Sequence, residues 1–466
     1  MSNSNFEFSS LEKLVNFYEQ QNRAGDFTFF EAEDFIKIIE FYRQANNKSK
    51  ALSTCRNALK HFPFNINLLF LRTQLYLADF EYDYAIQTLE KITIIEPANA
   101  KAYFMIAEAY LNQGEPDEAL EMLDIADDLK YNQSEVLKLR AELNKLLENN
   151  DDSLNAFEQY LHINPLDYDV ALDYIITGYI ADRQNRVLFF LEDLTNRNPQ
   201  SYLAWFILGK AYECFENYKT AIENLEISKL LNPDYGQTVY LLALCYFKQE
   251  DYLSALELFK QAAEFSVNID FSNIQAGFCC IYLEKFKDAR QFFKKAKEIN
   301  PDDPDIYFGL GLIEFNSEQY NKAIRNYRKA IKIFEYSATY WSELAFTYAH
   351  TGKYIEANKA YKEALELEPD DIEIQLDYLY FLREIGWTFI AIGEAMKFLD
   401  VENPDIEVMY FTSGLLFDCN YHEEAVNMFI NALSINHQEH QLLFQHFPHL
   451  YSNQLIQSLI EQNKPV

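Results

Sequence analysis

Residues 202–235 read YLAWFILGKAYECFENYKTAIENLEISKLLNPDY. Trp205, Leu208, Gly209 and Tyr212 fall at i, i+3, i+4 and i+7, one side of a helix. Ala221, Leu225 and Ser228 follow at i, i+4 and i+7 on a second helix that Pro233 closes, with a turn at 215–218 between them. Stepping by thirty-four residues from Ala221 lands on Ala255, Ala289, Ala323, Ala357, Ala391 and Ala425, and backwards on Val187, Ser153, Ala119, Ala85 and Ala51. Four places on, the same step gives Cys55, Leu89, Leu123, Phe157, Leu191, Leu225, Phe259, Phe293, Tyr327, Tyr361, Ala395 and Phe429, nearly all large. A further small site recurs at Ala58, Ala126, Ala262, Ala296, Ala330, Ala364 and Ala432, and proline closes units at Pro63, Pro97, Pro165, Pro199, Pro233, Pro301 and Pro369. Twelve units therefore run without insertion from Ala32 to Glu439.

A fixed period of this length signals a solenoid or array, because a single short helix pair cannot bury its apolar face without a neighbour. Alanine at the helix crossing lets two axes approach, and the large residue one turn on fills the space between them. Composition agrees. Among 466 residues there are 38 Phe and 33 Tyr but only 12 Gly and 12 Pro, which suits helices and not the many turns of an all-β fold. The balance of 40 Lys+Arg against 72 Asp+Glu gives a net charge of −32, which argues against a nucleic-acid partner. The amino terminus shows no basic-then-apolar leader, and no apolar run reaches the length of a membrane span. A soluble, cytoplasmic protein without membrane contact is expected. Cys55, Cys214, Cys245, Cys279, Cys280 and Cys419 never take a CxxC or zinc-finger spacing, so reduced, mostly buried thiols are expected.

The run Trp205-x2-Leu208-Gly209-x2-Tyr212, with Ala221, Leu225 and Pro233, resembles the tetratricopeptide repeat, a 34-residue helix-turn-helix unit. Trp341, Leu344, Ala345, Tyr348, Gly352, Ala357, Tyr361, Ala364 and Pro369 match it again. The resemblance implies an all-α, right-handed superhelical solenoid of antiparallel helix pairs. The plan read from the chain is an amino-terminal capping helix (1–31), repeats 1–4 (32–167), a diverged repeat 5 (168–201), repeats 6–12 (202–439), and a capping helix with tail (440–466). Ser9 and Glu12 fit a capping box ahead of a helix bearing Leu11, Leu14, Val15 and Tyr18, and Leu455, Ile456, Leu459 and Ile460 make the last helix amphipathic. Repeat 5 carries the larger Val187 and Leu194 at small sites, and repeat 11 carries Ala395 and Phe398 with sizes swapped. The region at about 145–200, with the polar turn ENNDD at 148–152, reads as a candidate joint or as an ordinary diverged repeat.

No Gly-rich phosphate loop, GxSxG elbow or HExxH helix is present, and the chain is expected not to be an enzyme and to need no cofactor. His437, His440, His446 and His449 have HxxH spacings that fit a transition metal in principle, but nothing else in the sequence supports one, and histidines near a carboxyl-terminal cap are more often solvated or packed against aromatics. Paired acids at Asp302–Asp303 and Asp370–Asp371 fit helix starts, where the dipole favours negative charge. The family resemblance implies that the second, fifth, ninth and twelfth places of each repeat line a concave groove. In repeats 1–4 those places are largely charged, with Glu33, Glu40, Arg43, Lys101, Glu108, Glu135, Lys138, Glu142 and Lys145. From Tyr202 onward they turn aromatic: Phe206, Tyr240, Phe247, Phe271, Phe278, Phe308, Phe315, Phe346, Tyr380, Tyr410 and Phe417. Phe206, Tyr240, Phe271, Phe278, Phe308, Phe315, Phe346 and Tyr380 are the candidate protein- or peptide-binding residues, and the alternative is that they fill the contact between neighbouring first helices. The function expected is a scaffold holding a segment of another protein, with basic or apolar character, in the groove. The alternative is a regulatory sensor for a short peptide or apolar small ligand.

Replacing Ala289 or Ala323 by Leu is expected to overpack the helix crossing and cost about 1–3 kcal/mol, read as a lowered denaturation midpoint.

Overall fold

The computed structural model describes residues 3–24 and 30–464, and among them there is no β-strand. Twelve antiparallel helix pairs follow one another in the register that the sequence sets. First helices such as Ala32–Gln44, Tyr202–Cys214, Ala338–His350 and Ile406–Asp418 alternate with second helices such as Lys48–His61, Tyr218–Leu231, Tyr354–Leu367 and His422–Ile435. The chain forms two compact units, Met1–Pro233 and Asp234–Val466. Residues 145–200, the candidate joint, lie inside the first of them.

The alanine register is the inner seam of the array. Ala51, Ala85, Ala119, Ser153, Val187, Ala221, Ala255, Ala289, Ala323, Ala357, Ala391 and Ala425 all have 0% of their surface exposed. The large residue one turn later lies against the eighth place of its own first helix, which is why that place is often glycine. A Cβ on Gly209 would stand 2.6 Å from Leu225 Cγ, and one on Gly277 would stand 2.8 Å from Phe293 Cζ. Where the twenty-fourth place shrinks to Ala395, the eighth place of the same repeat grows to a fully buried Leu379. The apparent size swap in repeat 11 thus conserves volume across the pair. Repeat 5 solves the opposite problem. Val187 is too large for the seam, and Gly178, where other repeats often hold tyrosine, gives up its side chain to Val187 Cγ2. That junction is also bridged by charge, with Arg186 Nε 2.8 Å from Glu158 and Arg183 Nε 3.2 Å from Asp151.

The turn between paired helices has one shape throughout. The fifteenth residue of every repeat is left-handed: Asn46, Phe80, Gly114, Glu148, Asp182, Glu216, Glu250, Glu284, Glu318, Gly352, Gly386 and Asn420. Only three are glycine, so most repeats carry a backbone conformation that a Cβ disfavours. First helices start on short polar caps. Asp303 accepts from Asp305 N at 2.9 Å and Asp371 from Ile374 N at 3.0 Å, which gives these acids their capping role. Val15 and Tyr18 of the helix Asn3–Ala24 are buried on repeat 1, but this helix begins before Ser9, so the expected capping box at Ser9 and Glu12 does not mark its start. At the other end Ile456, Leu459 and Ile460 of Gln454–Gln462 are buried, whereas Leu455, expected on the same face, is exposed. Cys55, Cys245, Cys279 and Cys280 are buried and all six cysteines are free.

Gly178→Ala is expected to destabilise by about 1–3 kcal/mol, although Gly→Ala inside a helix ordinarily stabilises. Gly178→Ala with Val187→Ala is expected to recover most of that loss, both read by chemical denaturation. Phe80 has φ 59° and a ring 76% exposed; Phe80→Gly is expected to raise stability by about 0.5–1 kcal/mol.

Candidate functional site

In the second compact unit the aromatic places of the first helices form a ladder of rings. Tyr240 meets Phe271 at 6.1 Å between centroids, Phe278 meets Phe308 at 6.2 Å, Phe308 meets Tyr340 at 4.9 Å and Phe315 meets Phe346 at 5.4 Å. These contacts join first helices of successive repeats, so much of the ring area is spent on repeat stacking. Exposure separates the candidates. Phe271 and Phe346 remain 36% and 39% exposed, while Tyr240, Phe278, Phe308, Phe315 and Tyr380 are half-buried. Phe206, in the first compact unit, is only 3% exposed and packs on Tyr168. It is therefore a core residue and not a contact for a partner. Sequence periodicity assigns a ring to a face but not the fraction of it that a neighbouring helix covers.

The carboxyl-terminal segment covers the same face at repeats 11 and 12. The Tyr380 hydroxyl is hydrogen-bonded to His446 Nδ1, and Arg383 donates to the His446 carbonyl at 3.1 Å. Arg383 also lies over the Phe447 ring, 4.1 Å from its centroid, and Phe447 presses on Gly414, a ninth-place residue, where a side chain would collide with it. Tyr410 and Phe417 are buried at 0% and 6% exposure. The aromatic face open to solvent thus ends near Tyr380. His446 Nε2 stands 3.0 Å from Glu407 without the alignment of a hydrogen bond; burial lowers the pKa of this imidazole, and Glu407 opposes the shift. The four histidines do not converge. His437 meets the Ile460 carbonyl at 2.8 Å, His440 meets the His437 carbonyl at 2.7 Å, and His449 pairs with Asp418 at 2.7 Å. Among the described residues no cluster of His, Cys, Asp or Glu is arranged to hold a metal ion.

Next to the open part of the ladder is a concentration of acid that sequence reasoning overlooked. Glu343 and Asp377 occupy the same place of repeats 10 and 11, one period apart. Burial pushes the Glu343 carboxyl up to about 7, and the nearby charges of Asp377 and Glu373 add to the shift. Burial likewise raises Asp377 to about 6, helped by Glu373 and Asp371. Every charge named here is negative. Asp377 lines a cavity of about 400 Å³ between the helices Ala338–His350 and Ile372–Glu384, walled by Phe346, Tyr361, Tyr380 and Glu384. The signal available in the sequence was two acids thirty-four residues apart flanked by ladder aromatics, but a charged place in a repeat is ordinarily a solvated one.

These features define a class of protein: a tandem array of two-helix repeats with an aromatic, acidic first-helix face. The chain is a tetratricopeptide-repeat protein, with models of that repeat matching residues 76–143, 304–336 and 338–371. Residues 216–296 match the model described as anaphase-promoting complex, cyclosome, subunit 3. Anaphase-promoting complex subunit 6 of Arabidopsis thaliana is 24% identical over 48% of this chain and 42% of its own length. Anaphase-promoting complex subunit CDC16 of Saccharomyces cerevisiae is 20% identical over 80% of this chain and 49% of its own. The chain thus spans less than half the length of either relative. A solved structure of the APC/C hetero-tetramer Cut9-Hcn1 is matched with a TM-score of 0.43 at 14% identity, covering 87% of this chain and 97% of that one.

The raised carboxyls make stability depend on pH. Glu343 and Asp377 hold protons more firmly folded than unfolded, so their contribution is full below their ordinary values of 4.5 and 3.8 and is lost as pH rises through about 6 and 7. Glu343→Gln with Asp377→Asn is expected to be more stable than wild type by about 1–2 kcal/mol at pH 8 and no more stable at pH 4, measured by urea titration at both pH values.

Proposed function

We propose that this chain is a non-enzymatic scaffold that holds a segment of another protein against the first-helix face of repeats 8 to 11, with the exposed rings of Phe271 and Phe346 as anchors. The observation that carries the reading is the aromatic ladder of the second compact unit, which keeps open rings beside a cavity of about 400 Å³ instead of closing completely. Partly exposed aromatics on rigid helices give large contact area at little entropic cost. The relatives named above are, by their descriptions, subunits of a multi-protein complex, which favours an assembly role over an isolated one. No helix among the described residues is long and apolar enough to cross a membrane, and we place the protein in the cytoplasm. Its net charge of −32 favours partners with basic segments and keeps a long repeat array soluble. The charged first-helix face of repeats 1–4 serves that second purpose.

Phe271→Ala with Phe346→Ala is expected to keep helicity, with a lowered melting midpoint from the lost stacking on Tyr240 and Phe315, while weakening partner capture by the still-folded protein about tenfold or more, read by quantitative mass spectrometry of affinity-purified complexes beside wild type. An unchanged set of partners at unchanged yield would remove this face from the binding surface.

A further inference from the structure

The cavity between the first helices of repeats 10 and 11 has a chemistry that specifies its occupant. Its walls combine the carboxylates of Asp377 and the exposed Glu384 with the rings of Phe346, Tyr361 and Tyr380, and with the imidazole of His350, whose Nδ1 lies 3.0 Å from the Phe346 carbonyl. Three carboxylates, Asp377, Glu343 and Glu384, act on the Tyr361 hydroxyl. Among the described residues no ion pair reaches Glu343, Asp377 or Glu373, whereas Glu314, a more deeply buried acid one repeat earlier, is paired with Arg290 at 2.8 Å. Near Glu343, outside the cavity's own lining, lies another unsatisfied group. Tyr327 is fully buried, its hydroxyl has no hydrogen-bond partner among the described residues, and Glu343 is the charge that acts on it. Partly desolvated carboxylates such as Glu343 and Asp377, without a paired cation, are unfavourable in the free protein and become favourable when a cation arrives.

We propose that this cavity takes the lysine or arginine side chain of a partner polypeptide, its cation drawn to Asp377 and Glu384 with Glu343 close by, and its aliphatic stem laid along Phe346 and Tyr380. The inference rests on the reading of the first-helix face as a protein-binding surface and deepens it by naming the residue type recognised. An ammonium or guanidinium group satisfies the site in two ways at once, through charge-assisted hydrogen bonds to carboxylates and through the negative faces of the rings. Anionic ligands are repelled by the same charges. A metal ion is not the favoured occupant, since no suitably clustered ligand set exists among the described residues.

The test presents a positional-scanning library of N-acetylated, C-terminally amidated nonapeptides to the immobilised full chain and sequences the retained pool. Wild type is expected to select lysine or arginine at one position about tenfold above input, together with an apolar or aromatic residue nearby. Glu343→Gln with Asp377→Asn, or Asp377→Asn alone, is expected to reduce the cation preference to about twofold or less while the apolar preference persists. The control Glu366→Gln with Glu368→Gln removes the same charge from an exposed stretch and is expected to leave the cation preference intact. Circular dichroism melts confirm that each variant is folded. Selection of apolar residues without any cation preference, or a preference that survives Asp377→Asn and the double variant, overturns this proposal and leaves the scaffold reading standing. Retention of no peptide by wild type overturns both.

Discussion

The fold depends on how closely two helices of one repeat can approach. A small residue at the twentieth place and a large one at the twenty-fourth, facing a small eighth place, set that distance, and all twelve residues at the twentieth place are sealed from solvent. Because each repeat in a compact unit packs on its neighbours, an error at a crossing is felt by the repeats beside it. The exceptions show that volume, not residue identity, is conserved. Val187 is tolerated because Gly178 yields to it, and Ala395 is offset by Leu379. Repeats that look degenerate one position at a time are well packed as pairs.

The same constraint divides the labour within a repeat. The twentieth and twenty-fourth places of the second helices form the seam, whereas the second, fifth, ninth and twelfth places of the first helices lie outside it. In the second compact unit several of those places carry rings that serve two ends, since Phe278, Phe308, Phe315 and Phe346 contact the ring of an adjacent repeat and keep part of their surface uncovered. The carboxyl-terminal segment exploits this at repeats 11 and 12, where His446 and Phe447 are seated on the face beside Tyr380 and Gly414. That packing shows the chemistry the face accepts: an aromatic ring, a polar imidazole and a backbone carbonyl. What remains open lies around Phe346, next to uncompensated acid.

Much of this was legible beforehand. The thirty-four-residue register located all twelve helix pairs, because alanine at a crossing and a ring one turn later are demands of local geometry that recur with the period. The acids at Asp303 and Asp371 announced helix starts for an equally local reason. The cap at Ser9 misled, because a capping box is only a permitted beginning, and the helix Asn3–Ala24 starts before it.

By itself, then, the sequence determined the repeat, its count, its all-α character and the side of each helix on which aromatic residues fall, since these follow from spacing along a single chain. Only the tertiary structure decided which of those rings stay open. Phe206 vanished into the core and Phe346 did not, because exposure depends on what the next helix and the returning carboxyl-terminal segment cover. It also decided that Glu343 and Asp377 share one low-dielectric neighbourhood. Their spacing was visible, but the desolvation that raises both carboxyls arises only when two repeats stack, and no single-chain pattern encodes it.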